Sequence, residues 1–515
     1  MATSLLCETV TGRTMAELIA ARDAATAGDM LELRLDGIAD ADVARALHGR
    51  RVPAIATCRP VWEGGRFDGS EEERAAMLGR ALDHGAEFVD VEWRALSGPS
   101  RAAFSAVVAR DPARVVLSSH DFEGVPADLA GRVREMRAAG TGVVKVAIMP
   151  ARLAETLPLV DIARGGNAVV IGMGDAGVPT RLLATRYGSK WTYAGNAVAP
   201  GQIPATRMVG EFRFRRVRPS TRLFGVISSN AMHSVSPAMH NAAFEAAGLD
   251  AVYVPLRAAD FGDFLSFAAG LGVEGASVTI PFKVDALAAA GWADDLTRRV
   301  GAANTLRRRG DEWEATNTDV AGFLAPLEAA FGRPLEGARA AVLGAGGSAR
   351  AVVAALMSRG AVVSVHARRA EQALDVIDAL GSNLEPGTRN PELGTWPVPA
   401  GEWDILVNCT PLGGAALGDE SPLAAFALRA TAGRAGARLV YDLTYGPADS
   451  RLIRDAREAG CLTIDGLPML VAQAERQFEW WTGQRPAPDV MRNAARGAVA
   501  AAEAAALPAP VARTL

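Results

Sequence analysis

Lys145 interrupts an otherwise apolar run, VVKVAI at 143–148. An unpaired ammonium in such a setting is costly. Burial disfavours the charged form and leaves a nucleophilic amine, able to condense with a ketone to a Schiff base. A lysine that pairs with a carboxylate, or reaches water along its stem, fits the same pattern. Schiff-base chemistry also needs a proton shuttle and a group to orient it. His120, which closes the run SSH, and Glu63, four residues after Arg59, are the candidates for those parts. Taken alone, His120 is as readily a satisfied core histidine.

A second constellation lies further on. Gly344-Ala345-Gly346-Gly347-Ser348-Ala349 follows the apolar run 338–343 and opens a helical pattern through Arg359. This is GxGxxA in a strand–turn–helix setting. Its glycines permit the tight turn and the close approach of a pyrophosphate to the helix N-terminus. The next strand, 361–366, ends in His366-Ala-Arg368-Arg369, without the acid that NAD sites use for ribose hydroxyls. Two guanidinium groups suit a 2′-phosphate, so NADP is the expected cofactor. Lys283 and Asp319 form a possible acid/base pair; a surface lysine and a helix-capping aspartate are the plainer alternatives. Ser234 and Ser236, ahead of a helical pattern, can bind a carboxylate or simply cap the helix.

The elements that must position these residues follow two rhythms. In the first half, strand patterns at 5–10, 30–35, 52–58, 88–92, 114–120, 142–148, 168–173 and 191–194 alternate with helical stretches such as 14–27, 71–84, 127–139 and 179–187. Eight strands with helical crossovers in some 200 residues predict a (β/α)8 barrel, an α/β TIM barrel with its chemistry at the strand C-termini. Glu32-Leu-Arg34, Thr57-Cys-Arg59 and His120 stand at such ends. After a basic segment containing Arg213, Arg215, Arg216 and Arg218, a new apolar strand opens at 223–227 and a second α/β unit begins. The segment reads as a solvated linker rather than a nucleic-acid patch. The resulting division is a barrel at 1–212, a linker at 213–221, a substrate domain at 222–330 completed by 466–485, a dinucleotide domain at 331–465 and an alanine-rich extension at 486–515.

The motifs ELRLD, TCRP-x-x-E, SSHDF, VKVAIMP, PTR and APGQ, in that order over residues 1 to about 210, resemble type I 3-dehydroquinate dehydratase. The resemblance implies that Lys145 forms an imine with the C3 ketone of 3-dehydroquinate, that His120 is the general acid/base and that Glu63 pairs with it. It also implies that Arg181 holds the substrate carboxylate, with Glu32, Arg34, Arg59 and Gln202 around its hydroxyls. An iminium is itself an electron sink, so no metal is called for. Val198 stands where bacterial members often have serine.

Over residues 222 to 483 the motifs SVSPAMHN, SVTIPFK, AANTL, TNTD, GAGGSAR, NCTPLG, YDLTYGP and DGLPMLVAQA resemble shikimate dehydrogenase. That resemblance implies a substrate domain followed by a Rossmann NADP-binding domain. Ser234 and Ser236 would bind the carboxylate of shikimate, with Thr279, Asn304, Tyr445 and Gln473 around its ring hydroxyls. Lys283 and Asp319 would move the proton that accompanies hydride transfer. Gly344, Ala345, Gly346, Gly347 and Ser348 would cradle the cofactor, Arg368 and Arg369 its 2′-phosphate, with Thr410, Gly466 and Met469 alongside. Ala367-Arg368-Arg369 replaces the Asn-Arg-Thr of many members.

Together the two resemblances imply a bifunctional lyase and oxidoreductase carrying 3-dehydroquinate through 3-dehydroshikimate to shikimate. An NAD-dependent catabolic quinate/shikimate dehydrogenase fused to the dehydratase, and a non-catalytic metabolite-sensing regulator, are the competing readings. With 49% apolar residues, 22% charged residues and a net charge of −4, the chain gives no general reason to expect nucleic acid or an anionic membrane as partner. Small-molecule substrates are the expected partners. Cys7, Cys58, Cys409 and Cys461 are scattered without a CxxC pair and read as free thiols, which suits a cytoplasmic location.

Overall fold

The computed structural model describes residues 3–196, 199–232, 234–381, 389–414, 417, 419–428, 438–446 and 448–506. Val198, His233 and the end of the extension, 507–515, lie outside them. The chain divides into two compact units: 1–223 with 230–232 and 250–272, and 224–229 with 233–249 and 273–515.

The first unit is built on eight parallel strands: β1 (Leu5–Val10), β2 (Met30–Arg34), β3 (Ala54–Thr57), β4 (Phe88–Glu92), β5 (Val115–His120), β6 (Val143–Ile148), β7 (Ala168–Gly172) and β8 (Trp191–Ala194). They run in the order β7-β6-β5-β4-β3-β2-β1-β8. At the seam, Lys190 N–H donates to Ala168 O (2.9 Å) and Val170 N–H to Ser189 Oγ (3.1 Å). The period of two along a strand explains the interior. Cys7, Met30, Ile55, Phe88, Val116, Val143, Val169 and Trp191 make one apolar layer. Two residues on, the same strands present Thr9, Glu32, Thr57, Asp90, Ser118, Lys145, Ile171 and Tyr193. An apolar layer thus supports a polar one toward the C-terminal ends, where a barrel carries its chemistry.

The segment at 213–221 keeps Arg215, Arg216 and Arg218 exposed, as expected of a solvated linker, while Phe214 and Val217 are buried and Phe214–Arg216 forms a 3-10 turn. Arg215 pairs with Asp29 (2.5 Å), and Arg213 donates to Ala251 O (2.8 Å). The apolar residues between its arginines make it a packed strap. Residues 250–272 fall with the barrel in this division, although their strand β10 (Ala251–Arg257) stands next to β9 (Arg222–Ser228) in the sheet of the expected substrate domain; the helix Phe261–Leu271 follows it. On that helix the buried carboxylate of Asp263 accepts the N–H groups of Leu153 (3.0 Å), Ala154 (2.8 Å) and Ala259 (3.0 Å).

In the second unit, β9 (Arg222–Ser228), β11 (Val273–Val278), β13 (Thr305–Arg309), β14 (Glu312–Thr316) and β12 (Trp292–Ala293) lie side by side in that order. A separate all-parallel sheet contains β15 (Arg339–Leu343), β16 (Val362–His366), β17 (Glu392–Leu393), β18 (Ile405–Asn408), β19 (Leu439–Asp442) and β20 (Leu462–Ile464). Its order is β17-β16-β15-β18-β19-β20. Numbered within the sheet this is 3-2-1-4-5-6, which places the switch point between β15 and β18, at the glycine-rich turn. The extension forms the helix Val490–Ala506, which packs on the helices Ser236–Ala246 and Gly466–Thr482 through Met491 and Ala495. No helix among the described residues is long and apolar enough to cross a membrane. All four cysteines are free, three of them buried and Cys409 half-buried.

Candidate active sites

In the barrel, Lys145 extends from the middle of β6. Its strand neighbours are apolar, but its Nζ is not in an apolar setting. It lies 3.1 Å from Asp90 Oδ2, 3.7 Å from Glu32 Oε1 and 4.3 Å from the centre of the Tyr193 ring. The apolar setting expected for the amine is thereby corrected: two carboxylates and a π-face surround it. Asp90 is fully buried and also holds Arg59 Nη2 (2.9 Å) and Ser118 Oγ (2.5 Å). Burial pushes its carboxyl up, but Arg59 and Lys145 outweigh that and hold it well below the usual range. Arg59 Nη1 donates to Glu92 (2.7 Å), which pairs in turn with Arg74.

His120 ends β5. Glu63 comes from the short turn Val61–Glu63, where Gly64 adopts φ +76° to reverse the chain. One Glu63 oxygen accepts the His120 backbone N–H (2.8 Å) and lies 3.3 Å from its Nδ1. Burial, reinforced by Arg59 and Lys145, pushes His120 well below the usual histidine range. Burial also pushes Glu63 up to about 7. A neutral imidazole with Nδ1–H directed at a carboxylate leaves Nε2 as the proton acceptor.

Arg181 is buried and has no ion-pair partner among the described residues, with Glu32 acting on it only at longer range. It donates to Tyr193 O and Pro200 O, both at 3.2 Å, while its Nε has no hydrogen-bond partner among the described residues. Burial pushes its guanidinium down to about 10. Such a cation suits a ligand carboxylate. Glu32 accepts from Thr9 and Thr57, both at 3.0 Å, and Gln202 donates to Thr9 (3.4 Å). Arg34 is clasped at both ends by Asp36 (2.7 and 2.8 Å). All eight residues singled out in the first half line one pocket. Asp90, Glu92 and Tyr193 escaped sequence reasoning. The signal for the acids was present, in two alternate carboxylates on the apolar strand FVDVE.

In the second unit, Lys283 opens the helix Lys283–Ala288, and Asp319 opens the helix Asp319–Phe331. Lys283 Nζ lies 2.6 Å from Asp319 Oδ2 and 3.2 Å from Ser348 Oγ. Asn304 Nδ2 donates to Asp319 Oδ1 (2.7 Å) and Gln473 Oε1 (3.3 Å). These five side chains form one buried network. Ser234 Oγ accepts the Ser236 N–H (3.2 Å), and the Tyr445 hydroxyl accepts from the backbone of intervening Val235. Thr279 stands in the turn just before Lys283, its N–H bonded to Ile227 O (3.1 Å).

The glycine-rich turn fits a dinucleotide. Gly344 has φ +102°, and a Cβ there would lie 3.2 Å from the Cys409 carbonyl. Gly346 has nothing within 4 Å of its Cβ position, and the helix Gly347–Met357 has no side-chain cap, so its first N–H groups face open space. A Cβ on Gly347 would meet the Lys283 stem at 3.0 Å, which sets the turn beside the acid/base pair. Arg368 and Arg369 follow β16 exposed, without an ion-pair partner among the described residues. His366 at the strand end is held by Ser364 (2.8 Å) and Thr395 O (2.7 Å). Thr410 is fixed by Asn408 (2.7 Å). Gly466 lets its helix approach Leu443 O, where a Cβ would come within 2.2 Å, whereas Met469 is packed into the core.

Comparisons with known proteins find matches in both units. A family model described as type I 3-dehydroquinase matches residues 6–218. The shikimate dehydrogenase substrate binding domain matches 226–306, and the shikimate 5′-dehydrogenase C-terminal domain matches 466–496. Over 519 residues the chain is 30% identical to the chloroplastic bifunctional 3-dehydroquinate dehydratase/shikimate dehydrogenase of Arabidopsis thaliana, covering 94% of this chain and 83% of that one. Over 281 residues it is 37% identical to the shikimate dehydrogenase (NADP(+)) of Trichormus variabilis, covering 53% of this chain and 96% of that one. The solved dehydroquinate dehydratase and shikimate dehydrogenase of S. pombe AroM matches with a TM-score of 0.42 at 22% identity, covering 96% of this chain and 98% of that one. The chain, similar to the Arabidopsis enzyme along most of both lengths, belongs to the family of bifunctional 3-dehydroquinate dehydratase/shikimate dehydrogenases.

Proposed function

We propose that the barrel dehydrates 3-dehydroquinate to 3-dehydroshikimate and that the second unit reduces 3-dehydroshikimate to shikimate with NADPH. The observation that carries the reading is the barrel pocket. It sets Lys145, His120 and Glu63 beside a buried arginine, Arg181, that has no ion-pair partner among the described residues. Arg181 binds the substrate carboxylate. Lys145 gives a proton to neutral His120, its Nζ attacks the C3 carbonyl, and His120 returns the proton to the carbinolamine hydroxyl, which leaves as water to give the protonated imine. The protonated imine draws electrons from the C2–H bond. Neutral His120 takes that proton and delivers it to the C1 hydroxyl, which departs as water. A second water hydrolyses the imine and restores the amine. Glu63 orients His120. Glu32 and Gln202 meet the ring hydroxyls. Arg34 and Arg59, whose forks are already clasped, hold the surrounding carboxylates and lend positive charge.

In the second unit Ser234 and Ser236 bind the carboxylate, while Thr279, Asn304, Tyr445 and Gln473 hold the ring. Lys283, ionised beside Asp319, donates its proton to the alkoxide oxygen as it develops, and Asp319 compensates the charge. Gly344, Ala345, Gly346, Gly347 and Ser348 hold the cofactor pyrophosphate. Arg368 and Arg369 hold its 2′-phosphate, and Thr410, Gly466 and Met469 flank it. When bound, NADPH supplies the hydride. Free thiols on four cysteines support a cytoplasmic site of action. The domain boundaries we favour assign 213–221 and 250–272 to the dehydratase body.

Borohydride trapping tests the first site. Reduction in the presence of 3-dehydroquinate should leave one covalent adduct, on the peptide containing Lys145. Folded, substrate-saturated protein that yields no adduct, or one on another lysine, contradicts the mechanism.

A further inference from the structure

A cavity of about 540 Å³ lies in the second unit, outside both sites. Its walls are the helices Asp319–Phe331, Gly466–Thr482 and Val490–Ala506. Pro326, Leu467, Pro468 and Val471 give it an apolar floor. Glu475 stands half-buried on one side, and Arg496 comes from the C-terminal helix on the other. Neither has a hydrogen-bond or ion-pair partner among the described residues. Arg492 nearby is taken by Asp489 (2.7 Å). Volume and lining are those of a small-molecule site: apolar walls with a few polar groups. Asp465 lines the cavity as well, and Arg492 acts electrostatically on Glu475, so the lining holds two acids and two bases. A ligand of a single sign would meet like charge as well as opposite charge there.

We propose that this cavity binds a zwitterionic α-amino acid with a bulky apolar side chain. The ligand carboxylate meets Arg496, its ammonium meets Glu475, and its side chain covers the apolar floor. The site is placed to regulate. The helix Asp319–Phe331 begins with Asp319, and the helix Gly466–Thr482 carries Gln473, so both walls continue into the buried network around Lys283. Occupancy therefore biases the dehydrogenase site and leaves the barrel chemistry unaffected. The C-terminal helix, which carries no chemistry of its own, completes the pocket.

Titration calorimetry on the full chain with L-leucine and L-phenylalanine tests this. At least one should give saturable binding, and its analogues lacking the ammonium (4-methylpentanoate, 3-phenylpropionate) or the carboxylate (isopentylamine, phenethylamine) should bind about tenfold or more weakly. Glu475→Gln and Arg496→Gln should each weaken binding by a similar factor while leaving the unliganded melting temperature and the unliganded activities unchanged. The bound amino acid should alter KM or kcat for 3-dehydroshikimate. Absence of saturable binding by both amino acids overturns the proposal. So does binding that survives both substitutions, or an analogue that binds as tightly as the zwitterion. Because binding is read directly, this result is independent of the assignment of either activity.

Discussion

Replacing Glu63 with glutamine should make the barrel more stable and less active, with opposite dependence on pH. The carboxyl is buried, and burial pushes it from the ordinary 4.5 up to about 7, against the lowering influence of the His120 N–H, Arg59 and Arg94, with Glu92 adding to the rise. A carboxyl raised by folding contributes nothing unfavourable below its unfolded value, and its ionisation costs stability as pH rises toward the folded value. At about 1.36 kcal/mol per unit, the cost is about 1.4 kcal/mol at pH 5.5 and about 3.4 kcal/mol at pH 8.5. Glutamine removes it. The gain in the barrel's melting temperature should therefore be about 4–8 °C larger at pH 8.5 than at pH 5.5. Catalysis runs the other way. His120 needs an ionised Glu63 to hold its Nδ1–H, and at pH 6 about one molecule in eleven retains that charge. Wild-type kcat/KM for 3-dehydroquinate should fall with unit slope below pH 7, while Glu63→Gln should show a flat profile lowered about 100-fold. Differential scanning calorimetry and an ultraviolet assay for the conjugated product measure the two effects. An acid limb that persists unchanged in Glu63→Gln, or a stability gain that shrinks toward alkaline pH, refutes the reasoning.

The two glycines of the nucleotide turn should separate stability from binding. Gly344→Ala forces a side chain into φ +102° against Cys409 and should cost about 1–2 kcal/mol in thermal unfolding. Gly346→Ala meets nothing within 4 Å and should leave stability unchanged while raising KM for NADPH. Arg59→Gln takes one cation from Asp90 and Glu92, both fully buried, leaving Lys145 and Arg74 to hold them, and should destabilise the barrel by about 1.5–3 kcal/mol in urea unfolding.

Much of the barrel was legible because each strand is a short apolar run bounded by helical pattern. Lys145 stood out as a lone charge within one of them. Asp90 and Glu92 hid in the same kind of strand. Alternating acids normally signal a solvent face, and only closure of the barrel turns that face inward against Arg59. The strap at 213–221 was legible in part: Arg215, Arg216 and Arg218 are exposed as their charge suggests, whereas burial of Phe214 and Val217 between the arginines follows from packing that local pattern does not show. The glycine-rich turn was legible from local pattern alone, since a tight turn and an open helix end leave their mark in adjacent residues. The attachment of 250–272 to the barrel was not. It depends on Asp263 reaching backbone groups more than a hundred positions away.

The central claim is that one chain holds two complete and separable sites. A coupled assay with 3-dehydroquinate and NADPH tests it most directly. Lys145→Ala should abolish shikimate formation from 3-dehydroquinate yet reduce added 3-dehydroshikimate within about twofold of the wild-type rate, as expected for sites that share no residue. Lys283→Ala should accumulate 3-dehydroshikimate and fail to reduce it. Product from 3-dehydroquinate in Lys145→Ala, or loss of both activities from either substitution in a folded protein, would contradict the account.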